Sequence, residues 1–269
     1  YASSEKRNEV LSTYADQCVH NISGEQIRVD IDTLVADLRE KADWYAQFIR
    51  NHEWVSDEEG RGWFNGYYDN SGRQVEGVID GNVRMMLTGQ VFSIMGNVAD
   101  DAQVKSITES ADKYLYKKDI GGYRLNTDFK EEKFDLGRMF GFAYGEKENG
   151  AVFSHMTVMY ANALYQRGFV REGYKALYTL LGQAMDLEVS RMYPGIPEYF
   201  DAQGRGKYPY LTGAASWYMM TVVTQIYGFR GLWGDLMIEP KILLEQFDTE
   251  GNFSAEIPYR GQTFSVVYQ

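Results

Sequence analysis

The amino-acid sequence predicts a mainly α fold, a toroid of helical hairpins of which this chain supplies about half. Two observations favour it: apolar residues recur every three to four positions in several stretches between residues 30 and 228, and the helical stretches follow one another in pairs. A third observation is that residues 231–269 alternate apolar and polar side chains, which predicts short strands. We therefore expect two parts, a helical part over residues 1–230 and a small C-terminal β segment over residues 231–269.

The helices and loops can be placed in order along the chain. A long amphipathic pattern runs from Asp30 to about Trp54, and the Gly-, Asp- and Asn-rich segment after it predicts a hairpin or structured loop. Two helices follow, the second introduced by Asp100 and Asp101 as capping residues. Residues 119–149 lack a steady period and predict a long ordered loop, which is usually functional in a compact domain. The remaining helices are predicted at about 154–167, 171–185 and 212–228, with a proline-containing loop over 190–210.

The composition restricts the classes of function. A formal net charge of −11 opposes binding to nucleic acid, and aromatic residues at 15% favour surfaces that stack on flat ligands such as sugar rings. The single cysteine, Cys18, excludes an internal disulfide framework and fits a reducing compartment. No apolar run approaches the ~20 residues that span a bilayer. We therefore predict a cytoplasmic protein that contacts neither nucleic acid nor membrane.

Two helix starts are predicted to form an anion site. Ser154 is a good N-cap, which places His155 in a first turn where backbone N–H groups lack partners and the helix dipole is positive. Thr212 can cap the last helix, and Gly213 with two following alanines leaves its first turn without bulk, so a ligand can approach the backbone. The alternatives are that His155 only caps or packs, and that the small residues serve close helix packing.

A polar run before His155 predicts contacts to sugar hydroxyls. Lys147 and Glu148 lie among aromatic residues, where a carboxylate accepts and an ammonium donates hydrogen bonds; Glu198, held between Pro197 and an aromatic residue, is a second candidate acceptor. The alternative is an ordinary solvated loop. His20 and His52 have no neighbours at metal-ligand spacing, so no metal site is predicted.

Four motifs in the order EKENGAVFSHMTVMY, YPGIPEYF, GRGKYPYLTGAASWY and GDLMIEPKI resemble the C-terminal part of glycoside hydrolase family 94. This family contains the inverting phosphorylases of cellobiose, cellodextrins, chitobiose and β-1,2-gluco-oligosaccharides. The variants here look more like cellodextrin phosphorylase or 1,2-β-oligoglucan phosphorylase. The resemblance implies the C-terminal half of an (α/α)6 barrel, which in the family is preceded by a β-sandwich and closed by a small β segment.

The resemblance also implies residue roles and a mechanism. It gives phosphate binding to His155, Thr212 and Gly213, and sugar binding to Lys147 and Glu148. Glu198 occupies a position that is Gln in several members of the family. In the implied mechanism inorganic phosphate, a substrate rather than a cofactor, attacks the anomeric carbon while one Asp protonates the glycosidic oxygen. No cofactor is expected.

The catalytic Asp is expected upstream of this chain. Asp80 and Asp135 are loop acids without the family context, so the catalytic residue stays unknown. We expect a C-terminal fragment whose partners are a β-gluco-oligosaccharide, phosphate and the N-terminal portion of the same enzyme, in a homodimer. Two rival hypotheses remain: an inverting hydrolase on the same toroid, and a non-catalytic carbohydrate-binding fragment.

Overall fold

The computed structural model describes residues 3–19, 26–131, 133–193, 195–209 and 213–269. About 47% of the structure is helical, which confirms a mainly α fold, and its sheets are small. The chain separates into two compact units, Tyr1–Tyr45 and Ala46–Gln269. The (α/α)6 barrel and the division into residues 1–230 and 231–269 stay predictions.

The first unit is helical. Helix α1 covers Ser4–Cys18 and begins after Ser3, whose hydroxyl accepts a hydrogen bond from the backbone N–H of Lys6 (3.2 Å). Sequence reasoning placed no helix there. Helix α2 covers Ile31–His52, as the periodicity predicted, and it continues into the second unit.

The second unit alternates helices with short antiparallel hairpins. Its first half contains β1 (Trp54–Ser56) paired with β2 (Gly62–Phe64), β3 (Gly77–Ile79) paired with β4 (Asn82–Arg84), α3 (Leu87–Met95), α4 (Asp101–Tyr114) and β5 (Tyr116–Lys117) paired with β6 (Gly122–Tyr123). The two helices predicted after the Gly-rich segment are confirmed as α3 and α4. Asp100 caps α4 in a reciprocal capping box with Gln103, whereas Asp101 is already helical.

The second half of this unit contains the site elements and the β segment. The elements are β7 (Val152–Phe153), α5 (Ser154–Gln166), α6 (Val170–Met185), α7 (Leu187–Ser190), β8 (Tyr199–Phe200), β9 (Gly206–Lys207), α8 (Gly213–Thr221) with a π-helical turn (Val222–Ile226), β10 (Phe229–Leu232), β11 (Asp235–Ile238), β12 (Phe253–Tyr259) and β13 (Gln262–Tyr268). Short strands were predicted after residue 231, and the structure pairs them as two antiparallel hairpins, β10 with β11 and β12 with β13. Residues 119–149 are mostly irregular, as predicted, with short 3-10 turns at Lys118–Ile120, Phe134–Leu136 and Arg138–Gly141.

Helix α5 lies at the centre of the hydrophobic core. It packs against α3, α6 and α8, and its residues Val158, Ala161 and Leu164 are fully buried. Burial of a Leu or Val side chain contributes about 1.5–3 kcal/mol, so a helix buried on several sides is held firmly. The first turn of α5 therefore has a fixed position in the fold.

A buried aspartate shapes the hairpin that precedes α8. Asp201 accepts hydrogen bonds from the backbone N–H groups of Gln203 (2.9 Å) and Arg205 (3.0 Å), and pairs with the side chains of Arg205 (2.9 Å) and Lys207 (3.3 Å). Burial raises the pKa of Asp201, but these hydrogen bonds outweigh it and hold the pKa below its usual value. The β8–β9 hairpin is thereby closed at its turn.

No helix in the described ranges is both long enough and apolar enough to cross a membrane.

Candidate functional site

The N-terminus of α5 follows directly from a three-stranded sheet. Strand β7 pairs with β8, and β8 pairs with β9. The backbone N–H of Ser154 donates a hydrogen bond to the carbonyl oxygen of Glu198 (2.9 Å), so the helix start is attached to the segment that enters β8. His155 lies in the first turn of α5, as predicted.

The prediction that Ser154 caps α5 is wrong. Phe153 occupies the N-cap position in an extended conformation, and Ser154 is the first helical residue. The reason is the pairing of β7 with β8, which keeps the chain extended up to Phe153. The Ser154 hydroxyl is buried and makes no hydrogen bond to any residue that the structure describes.

Gly213 brings the start of α8 against the imidazole ring of His155. A Cβ atom added at Gly213 would lie 2.8 Å from Cε1 and 3.0 Å from Nδ1 of His155. The Trp217 ring, one turn further along α8, lies 5.7 Å from the imidazole ring between centroids. Only a residue without a side chain permits this approach, so the two predicted helix starts meet. Thr212 lies outside the described residues.

His155 is partly desolvated in this position. Its Nε2 atom is buried and has no hydrogen-bond partner among the described residues. Burial lowers the pKa of His155, so the neutral imidazole is favoured at neutral pH. An unpartnered buried polar atom beside two helix starts is a position at which a bound anion would supply the missing partner.

Lys147 lies at the tip of a tight turn. An isolated bridge between Glu146 and Asn149 closes the turn, and Lys147 has a left-handed backbone (φ 47°). Its Nζ lies 4.7 Å from the ring centroid of Tyr208 and 5.3 Å from that of Phe142. The ammonium is thus held by two cation–π contacts, each worth about 0.5–2 kcal/mol.

Glu148 has one partnered and one unpartnered carboxylate oxygen. Oε1 lies 3.5 Å from Nη2 of Arg138, and Oε2 is buried without a hydrogen-bond partner in the part of the chain that the structure describes. Leaving such an acceptor unpaired costs about 1–3 kcal/mol or more. A sugar hydroxyl is one donor that would satisfy it.

A series of aromatic rings connects the two parts of the candidate site. These are the predicted phosphate side, at His155 and Gly213, and the predicted sugar side, at Lys147 and Glu148. Phe153 stacks on Tyr199 at 6.2 Å between centroids, and Tyr199 lies 6.1 Å from Tyr208, which contacts Lys147. The Tyr199 hydroxyl donates to Oε2 of Glu146 (3.2 Å). The segments that contain His155, Glu198 and Lys147 therefore belong to one packed region.

The placement of Glu198 is determined by its backbone. Its N–H group lies 3.1 Å from the carbonyl oxygens of both Lys207 and Tyr208, and its own carbonyl accepts from Ser154. The side chain is half-buried. Its contact to a ligand stays a prediction.

Sequence reasoning missed Tyr199 and Tyr208. The available signal was the aromatic content of YPGIPEYF and KYPY, next to the predicted site. Tyr208 also has a left-handed backbone (φ 55°), a conformation that is strained for a side chain of this size and is found preferentially at functional sites. Among the residues in the described ranges, no group of three or more His, Cys, Asp or Glu side chains could hold a metal ion.

Comparison with known proteins gives one family and two curated relatives. Residues 29–228 match the family model described as glycosyl hydrolase 94 superfamily, catalytic domain. The chain is 24% identical over 198 residues to cellobionic acid phosphorylase of Neurospora crassa, a match that covers 68% of this chain and 24% of the relative. It is 26% identical over 230 residues to N,N'-diacetylchitobiose phosphorylase of Vibrio proteolyticus, with 80% of this chain and 27% of the relative covered. The chain thus spans about a quarter of the length of these relatives.

Proposed function

This chain belongs to the glycosyl hydrolase 94 superfamily, and from that premise we propose that it supplies the phosphate-binding half of an (α/α)6 barrel in an inverting glycoside phosphorylase. The substrate is a β-gluco-oligosaccharide of the cellodextrin type, and the products are α-glucose 1-phosphate and a shortened saccharide. The names of both curated relatives support phosphorolysis, but they act on different saccharides. The cellodextrin substrate rests on the motif variants alone.

The observation that supports phosphate binding best is the meeting of two helix starts at His155. Gly213 allows the start of α8 to approach within contact distance of the imidazole, and the buried Nε2 of His155 has no partner among the described residues. Backbone N–H groups and the positive ends of two helix dipoles favour an anion there. This local arrangement outweighs the net charge of −11, which would repel phosphate from the protein as a whole.

The sugar-side residues play a different part. Lys147 and Glu148 offer a donor and an acceptor to the hydroxyls of the sugar next to the cleaved bond, and Glu198 lies in the segment attached to the first turn of α5. Phosphate attacks the anomeric carbon in a single displacement, and no general base is needed because the nucleophile is already anionic. The general acid is an Asp that we do not assign among the residues of this chain.

Three alternatives are tested together with this proposal. They are a 1,2-β-oligoglucan phosphorylase, an inverting hydrolase on the same barrel, and a non-catalytic carbohydrate-binding protein.

The compartment that we propose is the cytoplasm, and the assembly is a homodimer. The lone cysteine Cys18 is the sequence observation that favours a reducing compartment.

The test is an assay of the enzyme that contains this chain, with cello-oligosaccharides and β-1,2-gluco-oligosaccharides in the presence and absence of phosphate. Release of α-glucose 1-phosphate that requires phosphate supports phosphorolysis, and the better saccharide series assigns the linkage. Release of free sugar without phosphate would instead support the hydrolase. Saccharide binding without turnover would support the non-catalytic alternative.

A further inference from the structure

A cavity of about 440 Å³ lies within the long loop, beside the sugar-side residues. Its size falls in the range of about 300–1,000 Å³ that small-molecule sites occupy. The residues of its lining that matter for recognition are Asp128, Lys130, Phe134, Phe142, Tyr144 and Asn149. Two of them adjoin the sugar-side turn: the Phe142 ring contacts Lys147, and Asn149 closes the turn through its bridge to Glu146.

One wall of the cavity is held in place by hydrogen bonds. The side chain of Asn149 donates to the carbonyl oxygen of Phe142 (2.8 Å) and accepts from the side chain of Asn126 (3.1 Å). The hydroxyl of Tyr144 donates to the carbonyl oxygen of Asn126 (3.2 Å). A Cβ added at Gly150 would lie 2.2 Å from the Tyr144 ring, so this ring packs directly on a glycine. This wall, with the Tyr144 ring and the Phe142 backbone, is therefore fixed by contacts within the chain.

The rim of the cavity is aromatic and charged. Phe134 has a relative exposure of 71%, and Asp128 and Lys130 are also exposed. Oδ1 of Asp128 accepts the backbone N–H of Lys130 (2.9 Å), which keeps an acceptor and a donor side by side. A ligand that suits this rim has an apolar face for the ring and hydroxyl groups for the carboxylate and the ammonium.

We propose that this cavity binds a glucosyl unit of the oligosaccharide, beyond the sugar contacted by Lys147 and Glu148, and so sets the preference for longer saccharides. The inference rests on the proposed function, because it names a further part of that substrate. Continuity supports it: the Phe142 ring contacts Lys147 and also lines the cavity. A phosphate or nucleotide fits less well, since Asp128 and Glu131 both line the cavity.

The first experiment measures how KM depends on saccharide length in the enzyme that contains this chain. Phe134→Ala removes the exposed ring, and Phe134→Tyr keeps it. For saccharides of four and five units we expect the alanine variant to raise KM about three- to tenfold, while the KM for phosphate and for the disaccharide stays unchanged. The tyrosine variant should behave like the parent. Tyr178→Ala, which removes an aromatic ring with 64% exposure on α6, is the matched control.

The second experiment measures binding directly and does not need turnover. Cellotetraose, cellobiose and the corresponding β-1,2-glucans are titrated into the enzyme that contains this chain and into its Phe134→Ala variant by calorimetry or NMR. Weaker binding of only the longer saccharide by the variant supports the cavity. Equal affinities, or a KM ratio that does not depend on saccharide length, would overturn it. If no saccharide undergoes phosphorolysis, the proposed function fails, and this titration still decides whether the cavity binds a sugar.

Discussion

The phosphate side and the sugar side of the candidate site are built from opposite kinds of residue. At the phosphate side the site depends on missing bulk: Gly213 has no side chain, and the start of α8 therefore reaches the His155 ring. At the sugar side the contacts are made by large side chains, with Lys147 between the rings of Phe142 and Tyr208. The first is a backbone site with one imidazole ring beside it, and the second is a site formed by side chains alone.

This difference fits the chemistry of the two ligands that we propose for the site. Phosphate is small and fully charged, so it is suited to N–H groups at helix starts, which need no side chain. A sugar is neutral and large, with hydroxyls pointing in several directions, so it needs donors and acceptors at the ends of side chains that aromatic rings hold in place. The comparison therefore predicts which substitutions affect which substrate.

The largest expected effect is that of His155→Ala on phosphate. Loss of one hydrogen bond to a charged group costs about 1.5–3 kcal/mol, which raises the KM for phosphate about ten- to a hundredfold. The KM for the oligosaccharide should change far less. Steady-state kinetics with each substrate varied in turn measures both, and His52→Ala, at the end of α2, is the control. An unchanged KM for phosphate would mean that His155 does not bind phosphate, and the contrast between the two sides would then be wrong.

The next effect concerns Glu148→Gln on the sugar side. The substitution keeps the shape of the side chain and removes the charge, so an acceptor of a charge-assisted hydrogen bond becomes a neutral one. We expect turnover at saturating phosphate to fall about tenfold, with the KM for phosphate nearly unchanged. A carboxylate that is only solvated predicts a change within about 0.5 kcal/mol instead. Glu188→Gln, at an exposed position on α7, supplies the matched control.

The sequence predicted the helices of this chain because their apolar period is local. Helices α2 to α6 and α8 lie where that period placed them, and the alternation after Gly231 correctly indicated strands. Helix α1 was missed because its first turns, with Glu5, Lys6 and Arg7, are polar and give no apolar stripe. The apolar period was therefore sufficient for helices that carry an apolar stripe, and insufficient for α1, in which no described residue is buried.

The parts of the site that failed, or were missed, depend on contacts between distant residues. The cap at Ser154 was assigned from residue type, but the pairing of Phe153 with Tyr199 in β8 decided where the helix begins. The contact of Lys147 with Tyr208 joins residues 61 positions apart, and no periodicity reports it. The anion site at His155 and Gly213 was predicted from the residue types at two helix starts, and the family resemblance assigned phosphate to it.

A smaller effect is expected from substituting Gly213, which contacts the His155 ring on the phosphate side. Gly213→Ala places a methyl group 2.8 Å from the His155 ring, and the backbone of Gly213 is not left-handed, so the ring moves and the helix stays. We expect the KM for phosphate to rise about three- to tenfold. In the His155→Ala background this rise should vanish, since the methyl group then meets empty space.

Gly213→Ala and His155→Ala, alone and together, form a double-mutant cycle. Its control is Gly182→Ala in α6, where an added Cβ meets nothing within 4 Å. Alanine should stabilise that helix by up to about 1 kcal/mol without changing the kinetics. If the costs of Gly213→Ala and His155→Ala simply add, the two residues act independently and the backbone site is wrong.

The smallest effect is on stability as a function of pH. Burial lowers the pKa of His155 in the folded chain, whereas the unfolded chain has an ordinary histidine with a pKa near 6.5. As the pH falls through 6.5, the unfolded state takes up a proton that the folded state resists, so the folded state loses stability. Thermal unfolding at pH 7.5 and pH 5 should therefore show a larger loss of stability in acid for the parent than for His155→Gln. Phosphate should reduce the difference, because a bound anion stabilises the imidazolium. Equal losses in parent and variant would mean that His155 is as well solvated in the folded chain as in the unfolded one. The desolvation that we infer for the phosphate side would then be wrong.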